Sequence, residues 1–397
     1  MAVTSTLVQE KLEQAVDILR EQDTDVWLTL VRETMLTSDP CLDLIAGTYS
    51  AWTGAFVISA TGDRVAIVGR FDAPAVEQVG GYEVVGYDES IKPALRETLE
   101  RLAPRSIALN YSRSDPAADG LTHGLWLELQ ETFADTQFAG RFVSSAPIVN
   151  ALRGRKSPVE VDLVRDAVRE TEEIFELVTA ALRRGLTELD VAELVHMEVA
   201  RRGLGYAWSR DHCPAVNAGP DKEVGHAPPG ELRTRPGELL HVDFGVTRAE
   251  YTSDLQRVWY FLDDGESTAP DDVRLAWDAL WSSLDAGVAA LRPGVAGWEV
   301  DAAARSALVG AGYPEPMHAL GHQLGRSAHD GGTTLAPKWD RYGAAPLGLV
   351  EEGNVFTLEY GTAIPNRGYI GLEEDVVVTA SGVEWLSTPQ RDVWLVP

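Results

Sequence analysis

The second half of this chain contains one pattern twice, and this repetition constrains the fold more than any other feature of the sequence. The pattern runs from a helix end through a glycine turn into a new helix, at residues 183–192 and again at 292–302. Each copy continues into paired strands with acidic residues, which include HVDFG at 241–245 and TLEYG at 357–361. Two similar halves facing each other across a pseudo-two-fold axis would bring their acidic residues to a common centre.

The first of these strand pairs, residues 239–261, carries two aspartates. Asp243 and Asp254 are equidistant from a turn centred between Arg248 and Ala249. A symmetric hairpin would place them directly opposite each other on one face, with Cβ atoms about 4.5–5.5 Å apart. Two carboxylates at that distance repel each other unless a cation lies between them.

The second strand pair, residues 354–379, repeats the arrangement with glutamates. Glu359 and Glu373 are equidistant from Asn366, where the turn is predicted. One acidic residue in an apolar strand is commonly just solvated, but two hairpins with the same repulsive pairing are poorly explained that way. The four acids therefore indicate a metal site.

The segment between the hairpins, HALGHQLGRSAHDGG, supplies the histidines His318, His322 and His329. An imidazole added to four carboxylates suits Mn²⁺, Co²⁺, Fe²⁺ or Zn²⁺ better than copper. Bridging carboxylates favour two ions about 3.5–4 Å apart. His226 precedes the first hairpin in a loop rich in proline and glycine, and loops positioned by rigid strands often carry residues that contact substrate.

The order of these motifs resembles the pita-bread metallopeptidase family, which includes methionine aminopeptidase, prolidase, aminopeptidase P and creatinase. The motifs are a loop histidine, D-x-G, S-D-x-x-R, G-H-x-x-G-x-x-x-H, T-x-E-x-G and E-x-D-x-V-x-V-T, all within residues 150–397. The resemblance implies an α/β (α+β) chain with a creatinase-like α/β domain at 1–150. A catalytic pita-bread domain with internal pseudo-two-fold duplication would follow at 151–397. In this family's prolidase branch the first domain is expected to mediate oligomerisation and to limit substrate length.

The resemblance also assigns roles to single residues. It implies two divalent metal ions, with manganese expected first and cobalt, zinc or iron as alternatives, and no organic cofactor. Glu359 would also handle the proton of the attacking water, while His226 and His329 would contact the substrate and its tetrahedral intermediate. Because adjacent strand residues point to opposite faces, only one of Glu373 and Glu374 can be a ligand, and the alignment favours Glu373. The implied metal ligands are Asp243, Asp254, His322, Glu359 and Glu373.

Three positions depart from the family pattern and leave metal identity and affinity open. Gly371 stands where an arginine is common two residues before the bridging glutamate. Tyr360 replaces a proline, and Gln256 stands where a threonine commonly follows the bridging aspartate. His318 is left open between a site residue and a core residue. The remaining histidines are assigned to structure or surface: His123, His196, His212 and His241.

The resemblance implies hydrolysis of Xaa-Pro peptide bonds, with a proline-containing peptide as substrate and an Xaa-Pro dipeptidase (prolidase) as the first expectation. An Xaa-Pro aminopeptidase acting on longer peptides is the alternative. A creatinase-like amidinohydrolase is less favoured because that branch works without metal and lacks ligands that are all present here. A non-enzymatic binding module is less favoured for the same reason. A homodimer is implied by the two-domain resemblance.

The first 150 residues alternate between strand and helix patterns and contain neither a glycine-rich phosphate loop nor a cluster of metal-ligand types. Such alternation predicts a sheet covered by helices. The predicted strands are 25–31, a hairpin within 55–69, 82–87 and 106–112, and the predicted helices are 7–21, 89–102 and 121–133. Residues 151–157 are the predicted boundary, after which Ser157, Pro158 and Glu160 form a capping-box pattern that predicts a long helix.

The composition of the chain limits its expected partners and cellular location. With 34 basic and 61 acidic residues the net charge is −27, so nucleic acid, a polyanion, is not an expected partner. No apolar run reaches the roughly 18 residues of a membrane-spanning helix, and the first residues lack the features of a secretory signal. Two cysteines cannot form a disulfide framework, which makes the cytoplasm the expected location.

Overall fold

The computed structural model describes residues 2–222, 225 and 227–397. It divides into two compact units, and the division lies between Arg153 and Gly154. Among the described residues, no helix combines the length and apolar character needed to cross a membrane.

The first unit is built on a six-stranded sheet in the order β4-β3-β2-β1-β5-β6. Its antiparallel pairs are β1 with β2 and β2 with β3, and the remaining pairs are parallel. The strands are β1 (Val26–Val31), β2 (Gly54–Ser59), β3 (Arg64–Gly69), β4 (Glu83–Tyr87), β5 (Ile107–Leu109) and β6 (Phe142–Ser144). The helices are α1 (Ala2–Glu21), α2 (Leu42–Ile45), α3 (Ala73–Val79), α4 (Lys92–Leu102), α5 (His123–Phe133) and α6 (Ala146–Gly154).

Both faces of this sheet are apolar, which confirms the predicted helix-covered sheet. On β1, Trp27 belongs to the hydrophobic cluster on one face, whereas Val26 and Leu28 belong to the cluster on the other. Successive strand residues point to opposite faces, so a strand buried on both sides is a continuous apolar run. The sequence patterns missed the short elements α2, α3 and β6, and also α6, which occupies part of the segment predicted to be a boundary.

The second unit begins with the predicted long helix. Ser157 Oγ accepts the Glu160 N–H and the Glu160 carboxylate accepts the Ser157 N–H, with Pro158 in the first turn. This capping box satisfies backbone donors that a helix start leaves unpaired, and it is confirmed. The helices of this unit are α7 (Pro158–Ala181), α8 (Glu188–Arg202), α9 (Asp271–Ala290) and α10 (Gly297–Gly310).

The main sheet of the second unit has the order β13-β14-β12-β9-β8, with β15 added to β14 and β16 added to β12. A small sheet has the order β11-β10-β7. The strands are β7 (Gly205–Tyr206), β8 (Ala215–Ala218), β9 (Leu239–Phe244), β10 (Val246–Arg248), β11 (Tyr251–Thr252), β12 (Leu255–Phe261), β13 (Val355–Ile364), β14 (Gly368–Thr379), β15 (Gly382–Trp385) and β16 (Trp394–Val396).

The repeated sequence pattern corresponds to a repeated structural order. Helices α7 and α8 precede the strands β9 and β12, just as α9 and α10 precede β13 and β14. Gly185 and Gly294 stand at matching positions between the helices with φ of 85° and 86°, a left-handed conformation that glycine adopts without strain. Because β12 pairs with β14, the two acidic hairpins adjoin in one sheet, as the repetition predicts.

Candidate metal centre

Four polar residues form a row across the main sheet. Asp243 on β9 is paired with Gln256 on β12, and Gln256 is paired on its other side with Glu373 on β14. Glu373 in turn is paired with Glu359 on β13. Directly paired residues project from the same face of a sheet, and neighbouring strands lie about 4.8 Å apart. Three carboxylates and one amide therefore share a single face over four adjacent strands.

The glutamate half of this row agrees with the sequence prediction. Glu359 and Glu373 are directly opposite each other, and Asn366 lies at the turn with φ of 61°. Asparagine tolerates this left-handed conformation better than most residues. The symmetric second hairpin is therefore confirmed.

The aspartate half differs, and the predicted pairing of Asp243 with Asp254 is wrong. The turn is centred between Ala249 and Glu250, whose φ values are 46° and 68°, as a two-residue hairpin loop requires. This moves the centre by one residue, so the partner of Asp243 becomes Gln256. The residue types do not mark this turn, because neither turn residue is the glycine or asparagine that is usual in such a loop.

Asp254 nevertheless lies at the cluster. It precedes β12 by one residue and is two residues from Gln256, so it projects beside the row on the same face. Its backbone N–H donates to Asp375 Oδ2 at 3.2 Å. Its side chain is 8% exposed. The structure therefore brings Asp254 to the metal centre through a different register from the predicted one.

His322 faces these acids from the loop between α10 and β13. Its Nε2 lies 4.0 Å from Asp254 Oδ2, 3.9 Å from Glu359 Oε1 and 3.9 Å from Glu373 Oε1. Backbone contacts with Thr357 hold the loop against β13: the His322 carbonyl accepts the Thr357 N–H, and the His322 N–H donates to Thr357 Oγ1. Metal–ligand bonds of about 2.0–2.2 Å place ligand atoms around one ion at such separations.

Two buried oxygens of the cluster have no protein partner among the described residues. They are Asp243 Oδ1 and Asp254 Oδ1. A buried carboxylate oxygen without a hydrogen-bond donor is costly, and a cation removes that cost. The donor set of four carboxylates and one imidazole therefore fits divalent metal ions of the manganese, cobalt, iron and zinc group.

The protonation equilibria point the same way. Burial, followed by repulsion from neighbouring carboxylates, raises the pKa of Asp254 and of Glu373 well above the ordinary range. Burial also raises the pKa of Asp243 and of Glu359. For His322, burial and the adjacent His329 lower the pKa to about 3, so its imidazole is neutral and has a lone pair for a metal. Bound cations would relieve the repulsion among the carboxylates.

The remaining candidate histidines differ in their positions. His329 is exposed at the edge of the cluster, and its ring centroid lies 4.2 Å from that of His322. His318 is half-buried with its ring edge-on to Tyr360 at 5.6 Å, and burial lowers its pKa. His226 lies outside the described residues.

Glu374 lies on the face opposite to the row, as strand alternation predicts. Its carboxylate pairs with Arg257 at 3.1 Å and accepts the Ser387 hydroxyl at 2.6 Å. Glu374 and Arg257 are both almost fully buried. This buried ion pair accounts for Glu374 without a metal and leaves Glu373 as the member of the pair that faces His322.

Gln256 and His241 are the residues that sequence reasoning missed. The Gln256 amide donates to Glu373 Oε2 at 2.8 Å and to Glu359 Oε2 at 3.3 Å, and it accepts from His241 at 2.8 Å. Gln256 was noted only as a departure from the family pattern, and His241 was assigned to structure or surface. The available signal was spacing, because each lies two residues from a metal-ligand candidate on the same strand face.

Tyr360, another departure from the family pattern, has a structural partner. Its hydroxyl donates to Asp301 Oδ1 at 2.8 Å, and the same oxygen accepts the Leu320 N–H at 3.1 Å. Arg305 completes the cluster through an ion pair with Asp301 at 2.8 Å. Tyr360 therefore ties the strand after Glu359 to the loop that leads to His322.

Another buried ion pair holds the segment that carries His329. Lys156 Nζ lies 2.9 Å from Asp330 Oδ2, with both side chains at most 3% exposed. Replacing Lys156 with methionine is expected to lower the free energy of unfolding by about 3–5 kcal/mol, because it removes the ammonium from a buried carboxylate. Denaturant unfolding checks this. Arg155→Met is the control, since its ion pair with Glu351 is partly exposed and is worth about 1 kcal/mol or less; equal losses in the two variants would contradict the expectation.

Residues 162–380 match the model of metallopeptidase family M24. The uncharacterized peptidase YqhT of Bacillus subtilis is 25% identical over 351 residues, which cover 88% of this chain and 91% of that protein.

Two solved structures show the same fold over nearly the full length. An Xaa-Pro dipeptidase from Bacillus anthracis superposes with a TM-score of 0.76 at 22% identity, covering 98% of this chain and 100% of that one. An X-Pro aminopeptidase from Thermotoga maritima superposes with a TM-score of 0.72 at 23% identity, covering 97% and 99%. These likenesses confirm the predicted α/β architecture.

Proposed function

Because the chain belongs to metallopeptidase family M24, whose pita-bread fold it shares, we propose that this peptidase hydrolyses Xaa-Pro bonds and acts as an Xaa-Pro dipeptidase. The observation that carries the proposal is the approach of His322 Nε2 to oxygens of three acidic side chains, each within 4.0 Å. Members of the family use divalent metals, and the proposed ligands of two such ions are Asp243, Asp254, His322, Glu359 and Glu373.

Glu359 is the proposed general base. Divalent ions held here would supply Lewis acidity, which lowers the pKa of water towards neutrality and polarises the scissile carbonyl. The Glu359 side chain is 20% exposed, more than those of Asp254, Glu373 and His322, so water can reach it. Burial raises its pKa, which suits a carboxylate that takes a proton from water and returns it to the leaving nitrogen.

The two histidines outside the ligand set are proposed to contact the substrate. His329 is exposed beside His322, where its ring can donate to or accept from a peptide bound at the ligands. We assign His226 to stabilisation of the developing oxyanion, following the family motif it matches. Hydrogen bonds aimed at developing charge are typically worth 10²–10³-fold in rate.

The Xaa-Pro specificity is supported by the names of the structural relatives, which include an Xaa-Pro dipeptidase and an X-Pro aminopeptidase. The leaving nitrogen of an Xaa-Pro bond belongs to a tertiary amide and must receive a proton before it departs. A carboxyl group such as Glu359, which has just accepted a proton from water, is suited to that step. The same chemistry serves a dipeptide and a longer peptide, so length selection depends on residues outside the ligand set.

Substrate length is the decisive test. Purified protein with Mn²⁺ is expected to release proline from Ala-Pro with a kcat/KM at least tenfold above that for cleavage after the first residue of a longer Xaa-Pro peptide, a preference of about 1.4 kcal/mol. Amino acid release measured for both peptides under the same conditions provides the comparison. The opposite preference would establish the aminopeptidase alternative. Failure to cleave any Xaa-Pro peptide across Mn²⁺, Co²⁺, Zn²⁺ and Fe²⁺ would defeat the proposal.

The proposal extends to metal and setting. We infer that manganese is the working metal, and elemental analysis of the purified protein tests this inference. The first unit is assigned to homodimer formation and to limiting substrate length, which light scattering of the intact chain can examine. The cysteines, Cys41 and Cys213, are buried and not joined in a disulfide, which supports a reducing compartment such as the cytoplasm.

A further inference from the structure

We propose that Gln256 is a positioning residue that orients Glu359 and Glu373 towards the metal ions, and that His241 and Asn217 fix the direction of its amide. The inference rests on the proposed metal site but not on the choice of peptide substrate. It concerns the middle of the sheet row, where Gln256 is the one uncharged member between acidic residues on both sides.

In each of the two glutamates, Glu359 and Glu373, the two carboxylate oxygens have different partners. Gln256 Nε2 donates to the Oε2 atoms of Glu373 and Glu359, at 2.8 and 3.3 Å. The Oε1 atoms of the same carboxylates face His322 Nε2, each at 3.9 Å. One amide thus holds one oxygen of each carboxylate and turns the other towards the histidine ligand. Such supporting hydrogen bonds keep metal ligands in their productive orientation.

The direction of the amide follows from its neighbours. Carboxylates that hold a metal ion are ionised and only accept hydrogen bonds, so the Gln256 NH₂ group must face them and its Oε1 must face His241. Oε1 then accepts the proton of His241 Nε2 at 2.8 Å. His241 Nδ1 is left with a lone pair, which accepts from Asn217 Nδ2 at 3.2 Å. Each assignment in this series of hydrogen bonds requires the next, and all three side chains are buried: Gln256, His241 and Asn217.

The glycine at 371 belongs to the same arrangement. A Cβ atom at Gly371 would lie 2.7 Å from Gln256 Oε1, 2.9 Å from His241 Nε2 and 2.8 Å from Tyr369 Cε1. The amide–imidazole contact therefore occupies the space that any side chain at 371 would need. This explains why a chain with glutamine at 256 and histidine at 241 has glycine there.

The use of an amide to orient the two glutamates affects the net charge of the metal site. Among the described residues, the side-chain hydrogen bonds to Glu359 and Glu373 come from a neutral amide, so the support adds no positive charge to the site. The four carboxylates then keep their full negative charge for two divalent ions. A cationic donor at the same place would compete with those ions electrostatically.

Titration of the metal-free protein with MnCl₂ by calorimetry tests the inference without using activity. Gln256→Leu is expected to bind Mn²⁺ roughly 10- to 100-fold more weakly than the unaltered chain, the usual cost of losing a residue that orients a ligand. Asn217→Ala is expected to weaken binding in the same direction by a smaller factor. Its side-chain amide bonds His241 and, among the described residues, none of the proposed ligands, so it is expected to act through His241 and the direction of the Gln256 amide.

A matched control is another buried glutamine, Gln390, which bonds the backbone of Val258 and none of the proposed ligands. Gln390→Leu is expected to lower Tm while leaving Mn²⁺ affinity unchanged. Gly371→Ala is expected to weaken binding, and adding it to Gln256→Leu should cost less than the sum of the single losses because both disturb one arrangement.

The outcomes separate the two proposals. Unchanged Mn²⁺ affinity in Gln256→Leu, or an equal loss in Gln390→Leu, would overturn the positioning role. Fully additive losses in the double variant would overturn the link to Gly371. Mn²⁺ binding without hydrolysis of any Xaa-Pro peptide would defeat the substrate proposal and leave this inference standing. No Mn²⁺ binding by the unaltered chain would overturn the metal site and this inference together.

Discussion

Replacing Asp243 with alanine is expected to abolish metal binding and to lower kcat/KM for Ala-Pro by roughly a thousandfold or more. Asp243 lies at the end of the sheet row beside Gln256, and its buried Oδ1 has no other partner among the described residues. Losing a ligand removes several kcal/mol of charge stabilisation from a metal-assisted hydrolysis, and each 1.4 kcal/mol is about a factor of ten in rate. Elemental analysis and initial rates with saturating Mn²⁺ provide the two measurements.

The control for this variant is Asp264→Ala. Asp264 is 93% exposed and pairs with Arg184 on the surface, where an ion pair contributes little. Its metal content and kcat/KM are expected to match those of the unaltered chain. Asp243→Ala with normal metal content and rate would show that the ligand set is assigned to the wrong residues.

The second large expected effect is on the thermal stability of the metal-free protein. The metal-free protein is expected to be less stable at pH 9 than at pH 7, because burial raises the pKa of Glu359 to about 8. Asp254→Asn is expected to unfold several °C above the unaltered metal-free chain at pH 9. The pKa of Asp254 is raised by burial and then by Asp243, Asp375 and Glu359. Asparagine has a similar shape and no charge. A change of about 1 kcal/mol shifts Tm by about 2–4 °C in a domain of roughly 150–250 residues, a range that includes the second unit, Gly154–Pro397.

The sign follows from proton linkage. Below the unfolded pKa of about 4, Asp254 is protonated in both states and pH has no effect through it. Above that, the unfolded chain releases the proton first and the folded chain keeps it until its raised pKa, so stability falls as pH rises through this window. The buried histidines, with lowered pKa values, finish titrating below pH 7 and do not contribute. Saturating Mn²⁺ is expected to raise the Tm of the unaltered chain at pH 9 but not that of Asp254→Asn.

Thermal unfolding at pH 7, 8 and 9, with and without Mn²⁺, measures both effects. Asp264→Asn is a suitable comparison, because Asp264 is exposed on the surface, where it pairs with Arg184, and lies outside the carboxylate cluster. A metal-free Asp254→Asn variant that is less stable than the unaltered chain at pH 9 would contradict the charge-repulsion argument.

Much of the site was predictable because its signals are local. The symmetric hairpin at Asn366 paired Glu359 with Glu373 correctly, since strand register follows directly from the position of the turn. The alternation of side chains along a strand predicted that only one of Glu373 and Glu374 can face the other acids, and the family resemblance together with the hairpin symmetry favoured Glu373. The capping box at Ser157 likewise predicted the start of α7, because it depends on residues three positions apart.

The rest depended on contacts between distant segments. The first hairpin has its left-handed turn at Ala249 and Glu250, where the residue types do not mark it, so the register of Asp243 was predicted wrongly. Gln256 gained its importance from β14 and β13, which lie more than a hundred residues further along the chain. The same holds for Lys156 and Asp330, which are 174 positions apart.

The sequence by itself determined the fold family, the repeated order of helices and hairpins, and the acidic and histidine residues proposed to hold the metal ions. The repeated order and the paired acids depend on residue type and spacing, whereas the fold family and the roles of single residues follow from the family that the order of the motifs resembles. Only the tertiary structure decided which atoms face one another: Gln256 between the acids, His241 behind its amide, and the space at Gly371 that this contact fills. Which residues are paired across a sheet depends on the register of each hairpin in it. A shift of one residue at one turn therefore changes the partner of every residue in that hairpin.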